Sequence, residues 1–136
     1  FFGDRNFGYD DAIYAALRLL GIASTLPVTL GQWFGQFPQT FSTPEIRLNS
    51  EKIDKFAVVQ SVKEQLIQKQ IKFNDIDGIR MESDDGWWLL RASNTQEELV
   101  IRVEGKTKAT LLQLKDDLDV ILKSQGLTLI EKKIAS

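Results

Sequence analysis

The chain has 136 residues, 43% of them hydrophobic and 26% charged, with a formal net charge of −2. That apolar content suffices for one ordinary core with a further piece attached, and the basic excess that drives counterion release on nucleic acid is missing. With no cysteine and no histidine, disulfides, thiolate nucleophiles, Cys/His zinc sites and histidine general-base chemistry are excluded within this chain.

No apolar run approaches the roughly 20 residues needed to span a bilayer, so no membrane is expected as a partner and a reduced, cytoplasmic setting is. The chain opens Phe1-Phe2-Gly3, and Met81 is its one methionine. Two aromatics at a terminus read as a strand severed from its upstream continuation, and the chain is expected to be a fragment.

Residues 10–24 read as a helix with Asp10 as N-cap and Asp11 in the first turn; Ile13, Leu17 and Leu20 share a face. Pro27, Gly31, Gly35, Pro38 and Pro44 punctuate residues 25–44. A short helix over 29–37 would present Leu30, Trp33, Phe34 and Phe37. Thr43-Pro44 closes the candidate linker. The apolar faces of this first part need a partner.

A second unit begins with a short strand over 45–48. Asn49 or Ser50 then caps a helix running to about Lys69, with Ile53, Phe56, Val59, Val62 and Leu66 as its stripe. Asp77-Gly78 makes a turn into a strand from Ile79 to Glu82. Asp85-Gly86 signals a type I′ hairpin, and the return strand is 87–91. A loop, 92–97, leads to a strand over 98–104, where Leu99, Ile101 and Val103 share a face. Thr107 caps the last helix, to about Gln125, with Leu111, Leu114, Leu118, Ile121 and Leu122 on its stripe and Gly126 as its stop. Residues 127–130 are expected as an edge strand and the remainder as a frayed tail. The order strand, helix, three strands, helix predicts an α+β layer: an antiparallel sheet with two helices on one face.

The loop Arg91-Ala92-Ser93-Asn94-Thr95 carries the most chemistry. Strands on both sides hold it in place. It offers a guanidinium, two hydroxyls, a carboxamide and backbone N–H groups, the donor mix that a phosphate dianion takes. The same residues also suit a polar turn that bonds only its own backbone, and on the residues alone both readings stand. Elsewhere, Asp75-x-Asp77-Gly78 does not have the spacing of a calcium loop. Trp87 and Trp88 alternate to opposite faces, one into the core and one covered by a neighbour or partly exposed. Asp116, Asp117 and Asp119 read as a solvated helix face, and Lys106, Lys108, Lys132 and Lys133 as surface charge.

Asp77-Gly78-Ile79, Asp85-Gly86-Trp87-Trp88-Leu89-Leu90, the R-x-S-N-T run at 91–95 and Arg102 together resemble the C-terminal domain of the α-D-phosphohexomutases, the phosphomannomutase/phosphoglucomutase superfamily. The stretch from Phe7 to Ala16 resembles the segment after that family's sugar-binding loop, and Thr43-Pro44-Glu45-Ile46-Arg47 the approach to its final domain. The resemblance thus runs through nearly the whole chain in the family's order. It implies a TATA-binding-protein-like fold for 44–136, and for 1–43 the helical remnant of the preceding α/β domain plus a linker. It further implies that Arg91, Ser93, Asn94 and Thr95 bind the phosphate of a hexose phosphate, the parent enzyme being an isomerase that shifts a phosphoryl group between C1 and C6. The phosphoserine, the Mg²⁺ loop and the sugar loop would lie upstream, in N-terminal domains missing here. This chain would therefore hold no cofactor and catalyse nothing alone, while the parent would use Mg²⁺.

One departure stands out. The family usually has a proline soon after Ser-Asn-Thr, where this chain has Gln96-Glu97-Glu98. Proline's fixed φ is lost, and two carboxylates would oppose a phosphate if they faced it. The competing readings are a nucleic-acid or other phospho-ligand module without catalysis, against which the acidic balance argues, and a purely structural domain.

Overall fold

In a computed structural model, which describes residues 2, 3 and 5–129, the first helix, α1 (Ala12–Thr25), starts later than Asp10 would place it. Asp11 is the N-cap, its carboxylate accepting the Tyr14 N–H at 3.0 Å and the Asn6 carboxamide at 3.2 Å. These bonds hold its carboxyl below the ordinary range, the Tyr14 N–H contributing most. A second short helix, α2 (Leu30–Phe34), is closed by a capping box in which the Thr29 hydroxyl accepts the Gln32 N–H and the Gln32 side chain accepts the Thr29 N–H. Both helices belong to a unit spanning Phe1–Gln39. None of its described residues is buried; Ile13, Leu17, Leu20 and Phe34 are all exposed.

The other unit, Thr40–Ser136, begins earlier than the expected boundary at 43/44, because β1 (Phe41–Ser42) already pairs with its sheet. The sheet continues with β2 (Ile46–Asn49), β3 (Phe73–Asn74), β4 (Ile79–Ser83), β5 (Gly86–Ala92) and β6 (Glu98–Gly105). Every pairing is antiparallel, and the order is β1-β6-β5-β4-β3. β2 shares with β1 the outer edge of β6: β1 takes Glu104 and Gly105, and β2 takes 98–101. Thr43 bridges them, its N–H donating to the Val103 carbonyl and its hydroxyl accepting the Val103 N–H. The two-residue β3 was not expected from the sequence.

The helices α3 (Lys55–Gln68) and α4 (Lys108–Lys123) cover one face. Ile79, Trp88, Leu90, Leu99, Ile101 and Val103 lie under Val58, Val62 and Leu66 of α3 and Leu114, Leu118, Ile121 and Leu122 of α4. The α+β layer with both helices on one face is thus as expected. Trp88 is 1% exposed, whereas Trp87 lies half-buried on the opposite face with the Arg80 guanidinium 4.0 Å from its ring centre.

Three local expectations need correction. The cap of α3 is Asp54, whose carboxylate accepts the Phe56 and Ala57 N–H groups, not Asn49 or Ser50. Asn49 instead closes a turn by accepting the Glu51 N–H. The buried face is Lys55, Val58, Val62 and Leu66, and Phe56 is exposed. At the β4–β5 hairpin the two loop residues are Asp84 and Asp85, and Gly86 already pairs with Ser83. Neither loop residue has positive φ, so the turn is not type I′. Gly86 is required for a different reason: a Cβ there would overlap the Glu104 carbonyl and the Leu114 side chain.

Thr107 caps α4 as expected, accepting the Thr110 N–H, and Gly126 ends it at φ +75°. Residues 127–129 form no strand; Ile130 and the expected tail lie outside the described residues. Asp119 is no member of a solvated face. Its carboxylate accepts the Leu129 N–H at 2.7 Å and pairs with Lys123 at 2.7 Å, tying the segment after α4 back onto the helix, where Leu127 and Leu129 are buried. No described helix is long and apolar enough to cross a membrane.

The Lys123 bond, followed by the Leu129 N–H, lowers the Asp119 pKa. A depressed carboxyl stabilises the fold above its unfolded value of about 3.9, and that contribution is lost as pH falls through the folded value. Asp119→Ala is expected to cost about 1–2 kcal/mol at pH 7, and the difference from wild type should shrink in urea titrations repeated at decreasing acidic pH.

Candidate functional site

Strand β5 delivers the candidate loop. Trp88 and Leu90 point into the core, so alternation places Trp87, Leu89 and Arg91 on the face without helices. Arg91 pairs across the sheet with Val100 of β6, whose own β2 partner is Arg47. Leu89 pairs with Arg102, an exposed residue of the same face.

Arg91 is held from behind by the Asp77-Gly78 turn. Gly78 has φ +83°, and a Cβ there would overlap the Leu90 carbonyl and the Arg91 Cα and Cβ. The close approach brings an Asp77 carboxylate oxygen to 3.7 Å from Arg91 Nη1, too long for a hydrogen bond. The turn is itself tied to α3 by a 2.6 Å bond from Lys63 to Asp75, which lowers the Asp75 pKa.

Beyond Ala92 the chain bends back. Ser93 is buried, its N–H donates to the Glu98 carbonyl at 2.9 Å, and its hydroxyl oxygen accepts the Gln96 N–H at 3.2 Å and the Thr95 N–H at 3.4 Å. Ser93 therefore builds the loop from within. Asn94 and Thr95 are exposed. Their side chains, like the N–H groups of Asn94 and Glu97, have no hydrogen-bond partner among the described residues. Of the expected ligands, then, Arg91, Asn94 and Thr95 are presented outward and Ser93 shapes the bend that presents them.

The two carboxylates that replace the proline pattern are each taken up by a cation. Glu98 accepts from Arg47 Nη1 at 2.9 Å, and Glu97 lies 3.2 Å from Lys55 Nζ. Arg47 also donates to the Gln96 side chain at 2.7 Å and to Glu45 at 2.8 Å. The Glu98 bond, then Glu45, raises its pKa further. Lys55 donates to the Gln96 carbonyl at 2.8 Å, and the Ser50 N–H donates to the Glu97 carbonyl at 2.9 Å. Reasoning from the sequence missed Arg47, Lys55 and Asp77 as neighbours of the loop; Asp77 and Arg47 stood in quoted motifs with no link to the loop, and nothing local pointed to Lys55. Glu97 and Glu98 thus each face a cation, and Arg91 has one loose partner among the described residues.

A concavity of about 210 Å³ beside the β4–β5 hairpin, lined by Trp87, Glu82, Asp84, Glu104 and Lys106 among others, lies at the other end of β5, with three carboxylates and one ammonium among its lining residues. It does not suit a phosphate. Among the described residues no group of three or more acidic side chains could hold a metal ion, so the Mg²⁺ implied by the resemblance finds no fitting ligand set among them.

Comparisons with known proteins bear on the family and the fold. Residues 45–120 match the family described as phosphoglucomutase/phosphomannomutase, C-terminal domain. A phosphomannomutase/phosphoglucomutase of Pseudomonas syringae is 40% identical over 115 residues, covering 85% of this chain and 25% of that protein. A phosphoglucomutase of Neisseria meningitidis is 33% identical over 131 residues, covering 91% of this chain and 27% of that protein. The crystal structure of a phosphoglucomutase/phosphomannomutase family protein from Burkholderia thailandensis superposes with a TM-score of 0.77 at 30% identity, over 96% of this chain and 28% of its own. The chain thus spans about a quarter of the length of these relatives.

The packing at Gly78 yields a test. Gly78→Ala must strain a left-handed residue and push against Arg91, a cost of about 2–4 kcal/mol. Urea denaturation should show that loss, with amide shifts concentrated at 90–92.

Proposed function

Because the chain belongs to the phosphoglucomutase/phosphomannomutase family, we propose that its Arg91–Thr95 loop grips the phosphate of a hexose phosphate. The observation that carries the reading is the division of labour in the loop. Ser93 closes the bend, Glu97 and Glu98 are met by Lys55 and Arg47, and the partly exposed Arg91 and the exposed Asn94 and Thr95 keep donors free.

Arg91 supplies the charge, as a planar fork able to hold two phosphate oxygens. Asn94 and Thr95 fill the remaining oxygens, with the unpaired amide N–H groups beside them. The parent's reaction is the reversible shift of a phosphoryl group between C1 and C6 of a hexose, through a bisphosphorylated sugar that turns over in the site. A loop that recognises a phosphate and little of the sugar suits that reorientation, because it accepts either end of the intermediate. A lid of this kind would let the sugar turn while one phosphate stays held.

In this reading the unit from Thr40 onward, four residues earlier than the expected start at 44, is the parent's phosphate-binding domain, and the residues before it are the end of its preceding domain with a linker. The remaining domains of the parent complete the active site and hold its Mg²⁺, in a cytoplasmic setting. This chain alone binds and does not catalyse. Isomerase activity in the purified chain would overturn that statement.

The grip is tested by NMR titration of the ¹⁵N-labelled chain with glucose 1,6-bisphosphate. A Kd on the order of millimolar is expected, since a few bonds must offset the cost of association. Amide shifts should centre on 91–97, and Arg91→Ala should weaken binding by about 10- to 100-fold, the worth of one charge-assisted contact. Binding should strengthen as pH rises through about 6, where a phosphomonoester becomes a dianion. Shifts elsewhere, or an affinity indifferent to Arg91→Ala, would reject the assignment. Binding of single-stranded DNA in preference to the bisphosphate would favour the nucleic-acid reading.

A further inference from the structure

Lys55 is the one buried ammonium among the described residues, 8% exposed. It occupies the first position of α3, where the helix dipole is positive and a cation is disfavoured. Its burial adds a desolvation cost. Both costs are offset at a single place, the tail of the candidate loop: Nζ donates to the Gln96 carbonyl at 2.8 Å and lies 3.2 Å from a Glu97 carboxylate oxygen. The Phe56 ring, 5.5 Å from Nζ, completes its surroundings.

We infer that Lys55 is a positioning residue of the phosphate loop, setting the Gln96–Glu97 peptide so that the Glu97 N–H is free for the ligand. The inference rests on the phosphate reading of that loop. A trans peptide is planar, with its C=O and N–H pointing opposite ways. The Gln96 carbonyl accepts from Lys55 and, within the loop, from the Glu98 N–H at 2.8 Å; held there, it turns the Glu97 N–H away from Lys55. The Ser50 N–H fixes the next carbonyl, that of Glu97, at 2.9 Å, so the peptide cannot rotate alone. The Glu97 N–H meets no acceptor among the described residues. A loop without proline thereby acquires, from a helix 41 residues away in sequence, the order that a fixed φ would have given it. The Glu97 carboxylate serves as the counter-charge of Lys55, not as a ligand group.

The test compares wild type, Lys55→Met and Glu97→Gln in the ¹⁵N-labelled chain, with inorganic phosphate as probe and circular dichroism to confirm folding. In Lys55→Met, amide exchange at 95–97 should accelerate about tenfold, phosphate binding should weaken about fivefold, and the phosphate-induced shift of Glu97 should vanish while that of Arg91 persists. Glu97→Gln, which keeps the Lys55 bond to the Gln96 carbonyl, should bind phosphate at least as well as wild type. Should Lys55→Met fail to fold, the wild-type lysine ammonium spectrum decides: a slowly exchanging Lys55 resonance that moves on phosphate addition supports the role, and a freely exchanging or unmoved one rejects it. Unchanged exchange and affinity in Lys55→Met, with wild type still binding at the loop, would sink the role of Lys55 alone. No phosphate shift at 91–97 in wild type would sink the phosphate reading and this inference together.

Discussion

The side chains of β5 alternate, and the helices need two of them. Burying Trp88 and Leu90 beneath α3 and α4 commits Arg91 to the opposite face. A slip of one residue would bring Arg91 under the helices and expose Trp88, at a cost no surface contact could offset. The guanidinium is therefore aimed by the core and not by its own neighbours. The rest of the site hangs on that commitment: Gly78 backs the strand where Arg91 leaves it, and Ser93 closes the bend just after it.

The second constraint is electrostatic. Two carboxylates follow the loop, and each is met by a cation from another element, Glu98 by Arg47 of β2 and Glu97 by Lys55 of α3. The exposed Arg47 pairs contribute little to stability, since solvent screens them. Their effect is local: they keep negative charge from cancelling Arg91, whose one acidic neighbour among the described residues, Asp77, stands at 3.7 Å.

Legible in the sequence was whatever is decided within a few residues. The Thr107 cap, the Gly126 stop, a hairpin near Asp85-Gly86 and the burial of one of the two adjacent tryptophans all come from spacing and turn chemistry. The start of α3 was misplaced because Asn49, Ser50 and Asp54 are all capable caps, and only the packing of Val58 and Val62 selects among them. The hairpin was found but its turn type was not, because Gly86 answers to the neighbouring strand and helix instead of to φ. The loop's own residues were legible as donors. Its supports were not: Arg47 reaches Gln96 and Glu98 from 49 and 51 residues away, and no local pattern announces such a bond. Asp119 looked like one of three solvated acids until Leu129 returned to it.

The outer border of the sheet is divided. β6, the longest strand, is flanked not by one continuous partner but by β1 and β2, with Thr43 and Pro44 between them. At the far border, β3 is two residues long. Neither border offers a long run of unsatisfied N–H and C=O groups, so a second chain has little to pair with. Protection from edge-to-edge aggregation therefore depends partly on Phe41 and Ser42, at the start of the unit. A chain trimmed to begin at Thr43 would keep its core and its loop, yet bare the backbone of Glu104 and Gly105 to any strand that met it.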